Sequence, residues 1–264
     1  MPAAIVTGPS SGIGREAAQQ LAGAGFHVIA AGRSPVRVQP VLDLITARGG
    51  TAEFVQLDLA SLTSVRTAAT RIVESGRTVD VLVNNAGIGI NRRGLSEDGF
   101  EIHFGVNHLG HFLLTDLLRS TLLPGARVVS VTSAVHFRAD AIDFDRLKSP
   151  TRFTGYPEYA TSKLANILFT RELSRREPGL NTYAVHPGLV DTRLIPFPVK
   201  LLMRPQLLTP EQGADTVVWC ATAAEVAGES GRYYQRRAVA TPSPQAEDDD
   251  LARELWQRSA EWCS

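Results

Sequence analysis

Excess charge of either sign is missing from this chain. Lys and Arg total 27 and Asp and Glu total 27, so the formal net charge is zero. With no basic block, nothing points to a nucleic-acid partner or to an acidic membrane surface. Cysteine is also scarce. Cys220 and Cys263 are the only two in 264 residues, and their separation matches neither a redox pair nor a zinc spacing, which predicts a reduced, cytoplasmic protein. No apolar run approaches the length of a membrane span. The first strand-like run starts almost at Met1, leaving no room for a secretory signal or an N-terminal anchor. Internal repeats are absent, and no interior linker is long enough to divide the chain. Length alone permits one or two domains; the continuity favours a single domain over residues 1–264.

What is present is alternation. Strand-like runs are expected at Ala3 to Val6, His27 to Ala31, Ala52 to Leu57, Val79 to Val83, Arg127 to Thr132, Thr182 to Val185 and, more weakly, Gly231 to Tyr234. Helical patterns lie between them, at Arg15 to Ala24, Leu42 to Arg48, Leu62 to Glu74, Phe100 to Leu123, Tyr159 to Glu177 and Pro210 to Ala223. Such alternation predicts an α/β fold, a Rossmann-type doubly wound parallel sheet of about seven strands with helices on both faces. After the break at Thr241-Pro242-Ser243-Pro244, an acidic run from Glu247 to Asp250 precedes a helix expected over about 248–262. Acidic side chains there favour the positive helix N-terminus rather than a metal.

Two local patterns carry chemistry. Ala3-Ala4-Ile5-Val6 leads into Thr7-Gly8-Pro9-Ser10-Ser11-Gly12-Ile13-Gly14 and then into a helix. A strand, a glycine turn and a helix form a phosphate-binding geometry. Glycine lets the backbone approach a pyrophosphate, and the helix N-terminus offers free N–H groups. The spacing is G-x-x-x-G-x-G, which differs from the generic G-x-G-x-x-G. Farther on, Tyr159 and Lys163 stand four residues apart on a predicted helix, hence on one face. A hydroxyl beside an ammonium is a proton donor with a lowered pKa, as carbonyl reduction or alcohol oxidation needs near neutral pH. A free phenol ionises near pH ~10. An opposite charge at about 4 Å contributes on the order of 4 kcal/mol at an effective dielectric near 20, so Lys163 is expected to bring Tyr159 down. Tyr156 is a rival, but the residue four positions after it is Ala160.

Taken in order, Thr7-Gly8-x-x-x-Gly12-Ile13-Gly14, Asn84-Asn85-Ala86-Gly87, Asn107, Ser133, Tyr159-x-x-x-Lys163 and Pro187-Gly188 resemble the single-domain branch of the short-chain dehydrogenase/reductases. Phe104-Gly105-Val106-Asn107-His108-Leu109-Gly110-His111-Phe112 and Ser162-Lys163-Leu164-Ala165-Asn166 look most like the retinol dehydrogenase and protochlorophyllide reductase-like subgroup. The resemblance runs from about Ile5 to about Tyr234. Several relatives in that subgroup carry an N-terminal anchor, for which no room is expected here.

The resemblance implies roles, residue by residue. Tyr159 would give its proton to the substrate oxygen, and Lys163 would hold the nicotinamide ribose and tune Tyr159. Ser133 would hold the substrate oxygen, and Asn107 would hold a relay water through its helix backbone. Thr132 competes with Ser133, but alternation puts the two on opposite faces. Thr7, Gly8, Ser10, Ser11, Gly12, Ile13 and Gly14 would cradle the cofactor phosphates. Asp58 and Leu59 would contact the adenine, and Asn85, Ala86 and Gly87 would line the adenosine ribose and the nicotinamide side. Pro187, Gly188, Val190 and Thr192 belong to the segment that closes on the carboxamide. Residues of about 190–210, apolar and broken by prolines, sit where the family carries a substrate lid; a subunit contact or a membrane-grazing surface is the competing reading. Ala134 to Glu158, with Phe137, Phe144, Phe153 and Tyr156, is expected to wall the substrate pocket.

Cofactor choice follows from an absence. An NAD-type site places a carboxylate after the second strand, yet between Gly14 and Asp43 the only acidic residue is Glu16, in the first helix. The second strand ends Ala31-Gly32-Arg33-Ser34, and a guanidinium at Arg33 suits a 2′-phosphate. The expected cofactor is NADP(H), and the expected reaction interconverts a ketone or aldehyde with an alcohol on a mid-sized apolar substrate. A cofactor-binding sensor without activity, or an isomerase or dehydratase of the longer branch, is the alternative. His186 is read as structural, and His103, His108 and His111 lack the carboxylate or cysteine spacing of a metal site. Members of the family often form homodimers or homotetramers through helices that begin near Phe100 and Tyr159.

Overall fold

The structure, a computed structural model, describes residues 1–90, 92–148, 155–191 and 207–264. Thr192, Phe153 and most of the 190–210 segment lie outside the described residues. Among the described residues, eight strands form one sheet. They are β1 (Ala3–Thr7), β2 (His27–Gly32), β3 (Thr51–Gln56), β4 (Val79–Asn84), β5 (Leu122–Val131), β6 (Asn181–His186), β7 (Arg232–Gln235) and β8 (Ala238–Val239). Their order is β3-β2-β1-β4-β5-β6-β7-β8. Every neighbouring pair is parallel except β7 with β8.

The helices are α1 (Gly12–Gly23), α2 (Pro35–Ala47), α3 (Leu62–Glu74), α4 (Ile102–Phe104), α5 (Gly110–Leu118), α6 (Tyr156–Arg176), α7 (Pro210–Thr222) and α8 (Asp249–Trp262). A π-helical turn over Gly105–Leu109 joins α4 to α5. This is the Rossmann-type α/β architecture that the alternation predicts.

Burial explains the strand sequences. All five residues of β1 are buried, because helices cover both faces of a parallel sheet. Alternate side chains then enter different cores. Ile5 joins Leu113, Leu168 and Trp256 on one face, while Ala4 and Val6 join Leu21, Val41 and Val217 on the other. Helix α3 buries Val65, Ala68, Ala69 and Ile72, the stripe of a 3.6-residue period. At α8, Asp248 caps the first turn by accepting from the N–H groups of Asp250 and Leu251, both at 2.9 Å. The acidic run thus sits at a helix start.

Several elements differ from the expectation. The helical stretch expected over Phe100 to Leu123 ends at Leu118, and β5 begins at Leu122 rather than Arg127. Helix α2 begins at Pro35, seven residues before the predicted start, and runs through Pro40. Val38, Val41 and Ile45 are buried along it, and their packing outweighs the one helical hydrogen bond that a proline removes. The eighth strand was also not expected. Arg236 and Arg237 adopt φ of 54° and 58° and turn β7 back on itself, as type I′ hairpins require. Glycine or asparagine, the usual signal for that turn, is absent from it.

The chain crosses from β3, at one edge, back past β1 to β4. That reversal opens a crevice at the carboxyl ends of β1 and β4, where doubly wound sheets bind ligands.

Candidate active site

The first turn of the site is built on close approach. Gly8 and Gly12 have φ of 69° and 57°, in the region that favours glycine. A Cβ on Gly14 would lie 2.3 Å from Asn85 Nδ2 and 2.4 Å from the Gly8 carbonyl oxygen, so only glycine fits there. Ser11 precedes α1 without a side-chain cap, and no acidic residue occupies the first turn. The N–H groups of that turn are therefore open to an anion.

Thr7 ties this loop to the end of β4. Its Oγ1 accepts from the N–H groups of Asn85 and Ala86, both at 2.9 Å. Asn85 Nδ2 donates to the Thr7 carbonyl at 2.8 Å. The Thr7 hydroxyl also lies 2.9 Å from His111 Nε2. On the other side of that ring, Nδ1 is 3.1 Å from the Asn107 carbonyl, which can only accept. The proton therefore sits on Nδ1, and Nε2 takes the Thr7 hydroxyl proton. Burial holds His111 at a pKa of about 4, so the ring is neutral at pH 7.

Asn107 lies in the π-helical turn, a departure common at functional sites. Its Oδ1 accepts from Ile88 N at 2.9 Å, and its Nδ2 donates to Ile88 O at 3.3 Å and to Ser162 Oγ at 3.0 Å. Its side chain thus clamps the strand end that carries Gly87, while His111 engages its carbonyl. A Cβ on Gly87 would come within 3.1 Å of Asn107 Oδ1 and 3.8 Å of Lys163 Nζ, so these three residues meet.

Helix α6 supplies Tyr159 and Lys163. Lys163 is buried, and its Nζ donates to the Val131 carbonyl at 3.1 Å, lying 5.7 Å from the Tyr159 ring centroid. Burial lowers its pKa to about 8. Ser133, at the end of β5, hydrogen-bonds Tyr159. Thr132 turns the other way and donates to the Lys163 carbonyl at 2.7 Å. Tyr159 departs from the expected direction. Burial raises its pKa, and the Ser133 hydrogen bond opposes that rise. Lys163 does not reverse it, because its ammonium is directed at Val131 and the desolvation of the phenol is the larger effect.

The remaining predicted positions spread around this centre. Arg33 is exposed beyond β2. Asp58 accepts from Ala60 N at 3.0 Å, and Leu59 is buried. Ser10 lies on the glycine loop and is partly exposed. Val190 and Ile13 both pack on Gly213. Pro187 and Gly188 follow β6, with Gly188 against Leu208. Of the expected pocket wall, Phe137 and Tyr156 are exposed, but Phe144 is buried and packs on Trp262. That aromatic belongs to the core because α8 covers it.

One pair beside the site escapes the sequence reading. His103 is fully buried, with Nδ1 2.8 Å from Glu101 Oε1 and Nε2 3.1 Å from the Gly89 carbonyl. Its ring meets Tyr159 edge-on at 6.0 Å. Residues two apart do not face each other on a helix, but Glu101 is the N-cap of α4 and stands outside the helical spacing. Among the described residues no cluster could hold a metal, and the three histidines take separate partners: His108 meets Ser259 Oγ at 3.1 Å.

Two outcomes follow from this geometry. Thr7→Val keeps the shape but strands the Ala86 N–H, while the Asn85 N–H keeps the Val83 carbonyl at 3.0 Å; it is expected to cost about 1–3 kcal/mol in urea unfolding. Thr7→Ser should stay within about 1 kcal/mol of native. For Lys163, the folded pKa of about 8 lies below its ordinary 10.5. Between those values the unfolded chain binds more protons, so stability rises with pH across the window, and below it the full penalty applies. Lys163→Met should therefore be more stable than native at pH 7, by about 1–3 kcal/mol. That gain should shrink as pH rises from 8 toward 10; a constant gain would contradict the assignment. Asn166 Nδ2 still serves the Val131 carbonyl at 3.1 Å in that variant.

Comparison with known proteins agrees with this layout. The family model described as short chain dehydrogenase matches residues 2–196. The chain is similar to polyprenol dehydrogenase of Mus musculus, 42% identical over 96% of this chain and 81% of that protein. It is also similar to human (Homo sapiens) retinol dehydrogenase 13, 40% identical over 97% of this chain and 82% of the relative. Among solved structures, an uncharacterised protein from Mycobacterium paratuberculosis superimposes with a TM-score of 0.83 at 32% identity, covering 100% of this chain and 93% of the other. A short chain dehydrogenase from Burkholderia cenocepacia, crystallised with NADP, does so at 0.74 with 29% identity, covering 94% and 98%. Among the described residues no helix is long and apolar enough to cross a membrane. With a family model matching residues 2–196 and relatives about 40% identical over nearly its whole length, the chain belongs to the short-chain dehydrogenase family and is an oxidoreductase acting between CH–OH and C=O.

Proposed function

We propose that this protein is an NADP(H)-dependent reductase of mid-sized apolar aldehydes or ketones, with Tyr159 as the general acid. The observation that carries the reading is the convergence, at the carboxyl ends of β1, β4 and β5, of the uncapped α1 turn, the Gly87–Asn107–Lys163 cluster and the Ser133–Tyr159 hydrogen bond. The relatives named as retinol and polyprenol dehydrogenases support an apolar alcohol or carbonyl, as do the exposed Phe137 and Tyr156 near Ser133 and Tyr159.

The dinucleotide fits the residues present. Gly8, Gly12 and Gly14 leave no side chain over the α1 turn, and the exposed Arg33 stands where no carboxylate would repel a 2′-phosphate. Asn85, Ala86 and Gly87 would line its ribose side, with Asp58 and Leu59 toward the adenine. Bound there, the cofactor supplies the hydride. Tyr159 gives its phenolic proton to the substrate oxygen, and Ser133 donates a hydrogen bond to that same oxygen and spreads the developing charge. A phenol raised by burial stays protonated at neutral pH, which suits an acid acting in the reducing direction. Lys163, still mostly an ammonium at pH 7, then stabilises the tyrosinate formed in the step. The Asn107 carbonyl, which accepts from His111 Nδ1 at 3.1 Å, would also hold the expected relay water.

Compartment and assembly belong to this reading as well. Both cysteines are unpaired and buried, in keeping with the cytoplasm. Helix α8 lies across α6, its Trp256 stacked on Phe169, and its Trp262 meets Phe104 of α4 edge-on. A homodimer or homotetramer through the α5–α6 face would have to use what α8 leaves uncovered.

NADPH oxidation at pH 7 against a panel of apolar aldehydes and ketones tests the proposal. Tyr159→Phe is expected to lower kcat by roughly 10²–10⁴-fold with NADPH binding intact; undiminished turnover would remove Tyr159 from the acid role. Arg33→Ala should raise the KM for NADPH about tenfold or more and leave that for NADH nearly unchanged. Equal effects on both cofactors would overturn the 2′-phosphate assignment.

A further inference from the structure

The carbonyl of Ser133 has an unusual holder. It accepts from the backbone N–H of His136 at 3.0 Å and faces Nδ1 of the same residue at 2.8 Å. On its far side, His136 Nε2 lies 3.0 Å from the backbone N–H of Ser243. Both partners are unambiguous. A carbonyl only accepts and an amide N–H only donates, so His136 must be neutral with its proton on Nδ1. His136 and Ser243 are both buried. The ring is packed between Phe137, at 4.2 Å, and Tyr233, at 5.2 Å. Burial holds its pKa below the ordinary histidine range.

Ser243 opens the C-terminal segment, and that segment is fastened independently. Asp249 pairs with Arg171 at 3.0 Å and with Arg175, both on α6. Trp256 stacks on Phe169, with the Arg176 guanidinium 4.9 Å from its ring. The segment that leads into this docked helix thus presents one N–H to a histidine whose other nitrogen grips the carbonyl of the serine that hydrogen-bonds Tyr159. Asn and Gln separate the two bonds, because Asn Nδ2 overlays Nδ1 of histidine, whereas Gln Oε1 reaches the place of Nε2.

We infer that His136 is a positioning residue for the Ser133 hydroxyl, and that the C-terminal segment sets it through the Ser243 N–H. The catalytic meaning rests on the reductase reading above; the structural coupling does not.

The experiment compares native protein, His136→Gln, His136→Asn and Ser243→Pro in kcat, KM and ring-carbon NMR. Ser243 has φ of −67°, which proline adopts, so that variant removes the donor and leaves the turn. His136→Gln is expected to lose about tenfold or more in kcat, with KM for NADPH within about twofold. His136→Asn, which keeps the bond to Ser133, should recover most of that loss. Ser243→Pro should lower kcat a few-fold and let both imidazole tautomers appear in the ¹⁵N spectrum of His136. Equal kcat in native protein and His136→Gln would overturn the inference, as would equal losses in the Gln and Asn variants. Should the native protein reduce no carbonyl tested, the reductase reading fails by itself. The ¹³Cζ resonance of Tyr159, assigned through Tyr159→Phe, then decides the coupling. A shift in His136→Gln that is absent in His136→Asn supports it, and an unmoved resonance ends it.

Discussion

Everything at the carboxyl end of the sheet hangs on the hydroxyl of Thr7. A threonine hydroxyl has one proton and two lone pairs, and here all three are committed. Asn85 and Ala86 supply its two N–H donors, and His111 takes its proton. The Val83 carbonyl, at 3.3 Å, is the weaker competitor for that proton. One buried oxygen thereby joins the end of β1, the end of β4 and the helix carrying Asn107. Without it the Ala86 N–H and His111 Nε2 would lose their partner, at about 1–3 kcal/mol apiece, whereas the Asn85 N–H would keep the Val83 carbonyl at 3.0 Å. The glycine loop can approach a ligand closely because this junction, rather than side chains within the loop, fixes where its backbone runs.

Around that junction the site is electrostatically expensive, and the expense has a direction. Burial lowers Lys163 to about 8 and His111 to about 4, and it raises Tyr159. Every shift disfavours the charged form, as desolvation does. The protein therefore holds an acid that stays protonated and an ammonium that is close to giving up its proton. Both are less stable arrangements than an apolar core of the same shape would be. That poise suits the proposed reductase, in which Tyr159 would part with its proton only when charge develops beside it. Stability is spent where chemistry is done, a common bargain at active sites.

Much of this was readable in the residues, for identifiable reasons. Parallel strands covered on both faces appear as unbroken apolar runs, so β1, β2, β4 and β6 are visible by composition. The glycine turn is visible because only glycine tolerates contacts such as that of Gly14 with the Gly8 carbonyl. The pairing of Tyr159 with Lys163 depends only on helical periodicity. What stayed hidden depends on packing between distant segments. His136 and Ser243 are 107 positions apart, and nothing local to either announces the other. Glu101 reaches His103 only because a cap residue departs from helical spacing. The direction of the Tyr159 shift was misread for a related cause. A charged neighbour is legible in sequence, whereas the desolvation that outweighs it is a property of the whole fold.

The end of the chain shows how far such packing reaches. Helix α8 makes its firmest contacts with α6, the element that carries Tyr159 and Lys163. Trp262 packs on Phe100 and Phe104, beside the π-helical turn that carries Asn107. Through Ser243 the same segment reaches the turn that carries Ser133. It touches no ligand-facing surface of the glycine loop, yet it braces three separate carriers of reactive groups from behind. A crevice built from strand ends has little rigidity of its own, because each side chain of the proposed site leaves the sheet on a different connection. Holding these connections in one register requires a part that spans them. In this chain the segment from Ser243 through α8 supplies that span.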